Sequence, residues 1–272
     1  MKDKWSRPMR IACIVDALVN HPYRVFSLGD FADYLNVARS TVSEDVAMVR
    51  ETFERTTSAV VETLPGASGG VRLKPRPSPE QMRSITETLI SDLQDPNRIL
   101  PGGFLYMTDI IFSPSWSEVI GTYFSHLFGT LKPDYVVTIE TKGIPLALMT
   151  ARDLDLPLVL IRRNSRVTEG SSVSINYVSG SSSRIQTMSL PRRALSPGSS
   201  VVVIDDFMRG GGTVKGASDL LAEFEVEVLA VGVVAVTRSP RNKLVQDYES
   251  LAEVTFSSGG RNVEVRSTAH TV

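Results

Sequence analysis

Of the residues that most often hold metals or close disulfides, this 272-residue chain has few: one cysteine and three histidines. A lone Cys13 can form neither an intramolecular disulfide nor a cysteine-built metal site. Its position in the apolar run IACIV makes it a small buried core residue. His21, His126 and His270 show no ligand spacing, so structural or solvated roles are expected and no resident metal. Also missing is any apolar run of the roughly 20 residues needed to span a bilayer. The opening MKDKWSRPMR leads into no signal-type apolar segment with a cleavage site, so a cytoplasmic protein with no membrane partner is expected. Excess charge is absent too: 29 Lys and Arg stand against 30 Asp and Glu, a net of −1. That balance argues against a broadly basic nucleic-acid binder. The first 79 residues carry 11 basic and 9 acidic side chains, so a DNA-binding claim has to rest on the order of elements.

What is present falls into two parts. KPRPSPEQ, residues 74–81, holds three prolines in five positions, and each pushes its predecessor out of helical geometry. The boundary is placed here, giving domains 1–74 and 75–272. Upstream the pattern reads helix, helix, helix, hairpin. Downstream, after a helix over Glu80–Leu93, apolar runs alternate with helical stretches: DYVVTIE, IPLALMTARDL, PLVLIRR, SVVVIDD, GGTVKGASDLLAEFE and VLAVGVVAVT. This alternation predicts an α/β domain with a mostly parallel sheet, its strands buried on both faces. One segment is of low complexity, EGSSVSINYVSGSSSR, residues 169–184. The closing residues suggest a hairpin around Gly259-Gly260.

In the first part a helix over Arg7–Asn20 precedes two apolar stripes, Leu28, Phe31, Ala32 and Leu35, then Val42, Val46, Val49 and Phe53. The break Asn36–Arg39 between them, with a capping box of Thr41 and Glu44, predicts a helix-turn-helix whose recognition helix is Thr41–Arg55. AVVETLPGASGGVRLKP then supplies a β-hairpin, the wing of a winged helix. Arg39, Ser40, Thr41 and Ser43 are the candidate contacts to phosphates or base edges, with Arg50 further along and Arg72 and Lys74 on the wing. Glu44 and Asp45 count against DNA, since they would sit close to phosphate. The alternative is a three-helix bundle used for dimerisation or for binding protein or RNA.

The densest chemistry lies in VVVIDDFMRGGGTVKG, residues 201–216. A buried strand delivers its last residues to the carboxyl edge of a sheet, where open α/β folds bind ligands. Glycines let backbone N–H groups approach an anion at the following helix N-terminus, and Thr213 adds a hydroxyl donor. Two carboxylates beside that cradle call for vicinal hydroxyls or a divalent cation. A ribose phosphate meets both demands.

Strand, acidic pair and Gly-Gly-Thr in this order resemble the phosphoribosyl pyrophosphate (PRPP) signature of type I phosphoribosyltransferases. The resemblance implies that Asp205 and Asp206 take the ribose and that Arg209, Gly210, Gly211, Gly212 and Thr213 take the 5′-phosphate. Phe207 and Met208 fill the apolar pair between. Thr141-Lys142-Gly143 looks like the family's pyrophosphate loop, which often carries a cis peptide. Arg162 and Arg163 stand where a cation meets the diphosphate, and residues 169–184 where the family has a mobile loop. Phe207 and Tyr106 form either an aromatic wall over the ligand or core packing.

Taken together, the chain up to about residue 255 resembles the Bacillus-type purine operon repressors, most specifically in ILPGGFLYMTDI, TKGIPLA, VTEGSSVSINYVSGSSSRIQTMSL and VIDDFMRGGGT. The resemblance implies a winged helix-turn-helix domain followed by a type I phosphoribosyltransferase-fold domain without transferase activity. It also implies homodimers, operator DNA as partner, and PRPP, with Mg2+ where needed, as an inducer that competes with guanine alarmone nucleotides. No cofactor is required. Arg209 and Gly210 stand where catalytic purine-using relatives carry Ala and Thr. The other reading is an active purine phosphoribosyltransferase with an appended regulatory domain.

Overall fold

The computed structural model describes residues 5–66, 69–101, 104–164, 170–178, 185–257 and 262–270. Helix α1 (Arg7–Asn20) has the bounds that its periodicity predicts. Ser27 caps α2 (Leu28–Leu35) by accepting from Asp30 N at 2.9 Å, and Asn36 closes the helix in the left-handed region at φ 54°. That reversal is so tight that α3 (Arg39–Thr56) starts two residues earlier than expected. Thr41 therefore falls inside the first turn, and Ala38 at the N-cap has no side-chain bond to offer. The Thr41–Glu44 capping box does not form. A capping box forms instead in the proline-rich segment, where Ser78 Oγ accepts from Gln81 N at 3.0 Å and Gln81 Oε1 from Ser78 N at 2.9 Å.

Strands β1 (Val60–Leu64) and β2 (Gly70–Lys74) pair antiparallel as the wing; the turn residues 67–68 lie outside the described ones. The three helices and the wing close over Ile14, Leu18, Leu35, Val42, Val49 and Val71, all at most 1% exposed. Cys13 is half-buried against this core, and burial raises its pKa, so the thiol stays protonated. Asp45 is fully buried, accepting from Arg10 Nε at 2.7 Å and Arg7 Nε at 3.2 Å. The expectation that it opposes DNA is thereby corrected: Asp45 points inward and clamps α3 to α1.

Next come α4 (Pro79–Leu93), the short strands β3 (Ile99–Leu100) and β4 (Phe104–Leu105), α5 (Thr108–Ile111) and α6 (Pro114–Phe128). Then follow β5 (Tyr135–Ile139), α7 (Ile144–Leu154), β6 (Leu158–Ile161), β7 (Ser172–Val178), β8 (Ile185–Pro191) and β9 (Ser200–Met208). The chain finishes with α8 (Gly212–Ala222), β10 (Glu227–Thr237), β11 (Glu249–Phe256) and β12 (Val263–Ser267). Six strands form one sheet in the order β12-β11-β10-β9-β5-β6, parallel except for β12. The β11–β12 pair is the expected terminal hairpin; its turn at Gly259-Gly260 lies outside the described residues.

One face of the sheet is covered by α4, α5, α6 and α7 through Leu89, Ile111, Phe124 and Leu146; the other by α8 and the β7–β8 hairpin through Ala217, Leu221, Tyr177 and Met188. The serine-rich segment is therefore a strand over Ser172–Val178 and not a loop throughout, and residues 179–184 lie outside the described ones. Strand geometry sends Val173, Ile175 and Tyr177 inward and exposes Ser174, Asn176 and Val178.

Tyr23 fixes the junction between the two parts. Its hydroxyl donates to Ser125 O at 3.2 Å and its amide to Leu73 O at 2.7 Å, with the Arg72 guanidinium 5.9 Å from the ring centroid. Burial pushes its pKa up to about 12, so the phenol remains a donor. Nearby, His21 Nδ1 lies 3.7 Å from Oδ1 of Asp155, the residue that closes α7.

Candidate functional site

Chain direction across the sheet reverses between β5 and β9. From β5 the chain moves through α7 to β6 on one side; from β9 it moves through α8 to β10 and β11 on the other. A crevice opens at the carboxyl ends of strands at such a switch point. Both glycine-containing motifs sit there, Thr141–Gly143 after β5 and Arg209–Thr213 after β9.

Residues Val201–Ile204 of β9 are fully buried, alternating between the two cores. Past the acidic pair the alternation slips, so that Phe207 packs against the first core and Met208 enters the second. Met208, 2% exposed, packs into the second core and also lines the small cavity bounded by Phe207, Arg209–Thr213 and Val214. Phe207 is half-buried against the core; the packing role accounts for the face that is covered. Asp205 is 7% exposed and its Oδ1 accepts from Asp206 N at 2.9 Å. Burial, then the neighbouring Asp206 charge, raises the Asp205 pKa well above the ordinary aspartate value. Burial also raises Asp206, opposed chiefly by Lys142, whose Nζ is 4.0 Å from Asp206 Oδ2. The exposed Arg163 lies close enough to favour ionised Asp205. Two carboxylates held this way gain from any ligand that donates hydroxyl protons or brings a cation.

The loop after β5 is packed against this pair. A Cβ on Gly143 would stand 2.2 Å from Thr138 Oγ1, 3.0 Å from Ile204 O and 3.1 Å from Asp205 Oδ1. Gly143→Ala is therefore expected to push the loop out, costing about 1–3 kcal/mol as an overpacked site; a lowered melting temperature in thermal melts checks this. The Glu140–Thr141 peptide is cis, as the resemblance implies. Among the described residues, buried Thr138 Oγ1 has no hydrogen-bond partner.

At the second loop Gly211 takes φ 83°, a conformation open to glycine, and Leu244 N donates to Gly210 O at 2.9 Å. Helix α8 begins at Gly212 with no acidic residue in its first turn, so its free N–H groups and the Thr213 hydroxyl make an anion cradle. Arg209 is exposed beside it. Arg162 is turned toward Glu140, with Nη1 3.4 Å from Oε2, and its backbone bridges Ser189. Tyr106 is 42% exposed and held by Arg98, donating its amide to Arg98 O at 2.8 Å.

Two residues escaped the sequence reading. Tyr177 packs on α8 at Gly216 and donates to Gln186 Oε1 at 2.6 Å; Arg163 and Thr213 both act on its hydroxyl. Its inward position in the β-alternation was the available signal. Lys243 is 8% exposed and its ammonium donates to Arg209 O and Thr237 O. Burial lowers its pKa, with Glu253 opposing.

On the winged helix, Arg39, Ser40 and Ser43 are exposed around the first turn of α3, and Thr41 is half-buried. The other three candidates brace the wing. Arg50 donates to Val61 O at 3.3 Å and to the Thr63 hydroxyl. Arg72 Nε and Lys74 Nζ meet Glu62 Oε2 at 2.6 and 3.0 Å. The start of α3 is thus the face best presented to a nucleic acid.

Comparison with known proteins gives the following. Residues 6–75 match the family model described as bacterial purine repressor, N-terminal, and residues 109–265 that of the phosphoribosyl transferase domain. The chain is 40% identical to the purine biosynthesis transcriptional repressor of Bacillus subtilis, over 97% of this chain and 93% of that one. It is 38% identical to the purine biosynthesis transcriptional activator of Lactococcus lactis, over 96% and 97%. Among solved structures, adenine phosphoribosyltransferase from Thermoanaerobacter pseudethanolicus superposes with a TM-score of 0.53 at 18% identity, over 62% of this chain and 99% of that one. At that identity the likeness is one of fold.

Proposed function

The chain belongs to the bacterial purine repressor family, and from that premise we propose that it represses purine biosynthesis and transport genes by binding operator DNA, PRPP acting as the inducer that weakens its grip. It regulates transcription; the direction, repression, is the reading its 40% identity to a repressor supports best. The observation that carries the PRPP assignment is the switch-point crevice itself. There Asp205 and Asp206 lie beside Lys142 and Arg163, next to the Arg209–Thr213 anion cradle. The acidic pair accepts from the ribose hydroxyls, the cradle donates to the 5′-phosphate, and Lys142 and Arg163 meet the diphosphate. Mg2+ would arrive with the diphosphate, and Asp205 and Asp206 would help hold it by supplying carboxylate charge. Guanine alarmones carry a ribose and a diphosphate and compete for the same groups.

A route from this crevice to the DNA module is built into α7. Its N-terminus is Gly143 of the pyrophosphate loop, and its C-terminal cap, Asp155, faces His21 of the winged helix. Movement of the loop on ligand binding would shift the helix as a body.

The same domain runs without transfer chemistry in this reading. Transfer needs a base held in line with the ribose and sheltered from water, whereas Arg209 is exposed at the loop where catalytic relatives carry a small residue. The working form is a cytoplasmic homodimer, since two-fold symmetry suits paired operator half-sites; no helix among the described residues is long and apolar enough to cross a membrane. Incubation with PRPP and adenine, guanine, hypoxanthine or xanthine is expected to give no nucleotide. On the DNA side, Arg39→Ala should weaken operator binding across sequences and reduce the salt slope by about 1. An unchanged slope in fluorescence anisotropy would remove Arg39 from the interface.

A further inference from the structure

We propose that Lys243 is a positioning residue of the phosphate loop and supplies, from behind it, the positive charge that a bound 5′-phosphate neutralises. The proposal rests on the assignment of that loop to the 5′-phosphate. Three observations carry it. Lys243 is buried, yet among the described residues no carboxylate comes within ion-pair distance of its ammonium. Its partners are the carbonyls of Arg209 and Thr237 and, at 3.4 Å, the Thr237 hydroxyl, and Arg209 O receives a second bond from Thr237 Oγ1 at 3.1 Å. The segment that carries it is packed onto the loop: Leu244 N donates to Gly210 O at 2.9 Å, and a Cβ on Gly211 would lie 3.3 Å from Leu244 N and Val245 N.

A buried ammonium held only by carbonyl and hydroxyl dipoles is costly without a counter-charge. The Arg209 carbonyl belongs to the same peptide group as the Gly210 N–H. An ammonium on the oxygen polarises that group and strengthens its N–H as a donor to an anion on the far side. Lys243 and the phosphate therefore share one peptide plane between them, each satisfying the other's charge. Thr237, which ends β10, carries the arrangement back into the sheet.

Lys243→Gln separates charge from hydrogen bonding, since the amide can still donate to a carbonyl. Lys243→Arg keeps the charge. In calorimetric titrations of the full chain, Lys243→Gln should weaken ribose 5-phosphate and PRPP by roughly 10–100-fold, the value of one charge-assisted contact. Inorganic pyrophosphate, which uses the Lys142 loop, should bind within about twofold of wild type, and Lys243→Arg should recover most of the ribose 5-phosphate affinity. Equal weakening of all three ligands would mean a merely structural lysine and overturn the proposal, as would unchanged ribose 5-phosphate binding. Failure of the wild-type chain to bind ribose 5-phosphate or PRPP at all would overturn the site assignment first, and this proposal with it.

Discussion

Asp205→Ala is expected to yield a protein that binds operator DNA as wild type does and no longer responds to PRPP. The side chain lies at the end of central strand β9, whereas the exposed first turn of α3 belongs to the winged helix, so DNA affinity should stay within about twofold. The ligand loses at least one hydroxyl-to-carboxylate bond of about 1.5–3 kcal/mol. That alone lowers PRPP affinity roughly 10–100-fold, and the remaining Asp206 must hold the ribose unaided. Burial holds the pKa of both carboxyls above the ordinary range, and the neighbouring Asp206 charge pushes Asp205 further up. A carboxyl with a raised folded-state pKa stabilises the fold while protonated and loses that contribution as pH rises through its folded value. The ligand-free wild type should therefore lose stability above the ordinary aspartate range of about 4, and Asp205→Asn should melt higher near neutrality while remaining blind to PRPP. An Asp205 variant that still releases operator on PRPP addition would move the inducer site elsewhere.

Asp45→Ala should do the reverse, abolishing operator binding while leaving the PRPP site intact. Asp45 is fully buried and is the shared partner of Arg7 and Arg10, two residues of α1 that meet it from 38 and 35 positions away. Its removal strands the buried Arg10 without a counter-charge and frees α1 from the recognition helix. Loss of one member of a buried pair is among the most damaging single changes, and in a domain of this size the melting step should fall by about 10 °C or more. Differential scanning calorimetry should show the lower step moving alone, with PRPP binding unchanged by titration. If operator affinity persists, the clamp is not what orients α3.

These two residues also show where the sequence was readable. Asp205 declared itself because its neighbours in sequence are its neighbours in space: a strand, a paired acid and a glycine loop in order. Helices α1 and α7 were legible to the residue for the same reason, since local periodicity and a proline in the first turn mark them. Asp45 resembled a surface acid because its partners come from another helix. That Arg50, Arg72 and Lys74 also brace the wing was hidden because Thr63 and Glu62 meet them only across the fold. Lys243 stands in the polar run RSPRNK, where nothing local distinguishes a buried lysine from a solvated one. The serine-rich segment misled differently. Its serine and glycine content read as low complexity and the resemblance placed a mobile loop there, although Val173, Ile175 and Tyr177 already carried a strand's period of two.

Regulation requires that the ligand crevice and the DNA-binding face be coupled. Ligand can release DNA only to the extent that it binds the free protein more tightly than the operator-bound one. The most direct measurement is a titration of the wild-type chain with a purine-gene operator, with and without saturating PRPP. The expected result is an operator Kd raised roughly 5–150-fold by PRPP, and a PRPP Kd raised by the same factor when operator is saturating. An operator Kd that PRPP leaves unchanged, at concentrations where calorimetry shows the crevice filled, would contradict it.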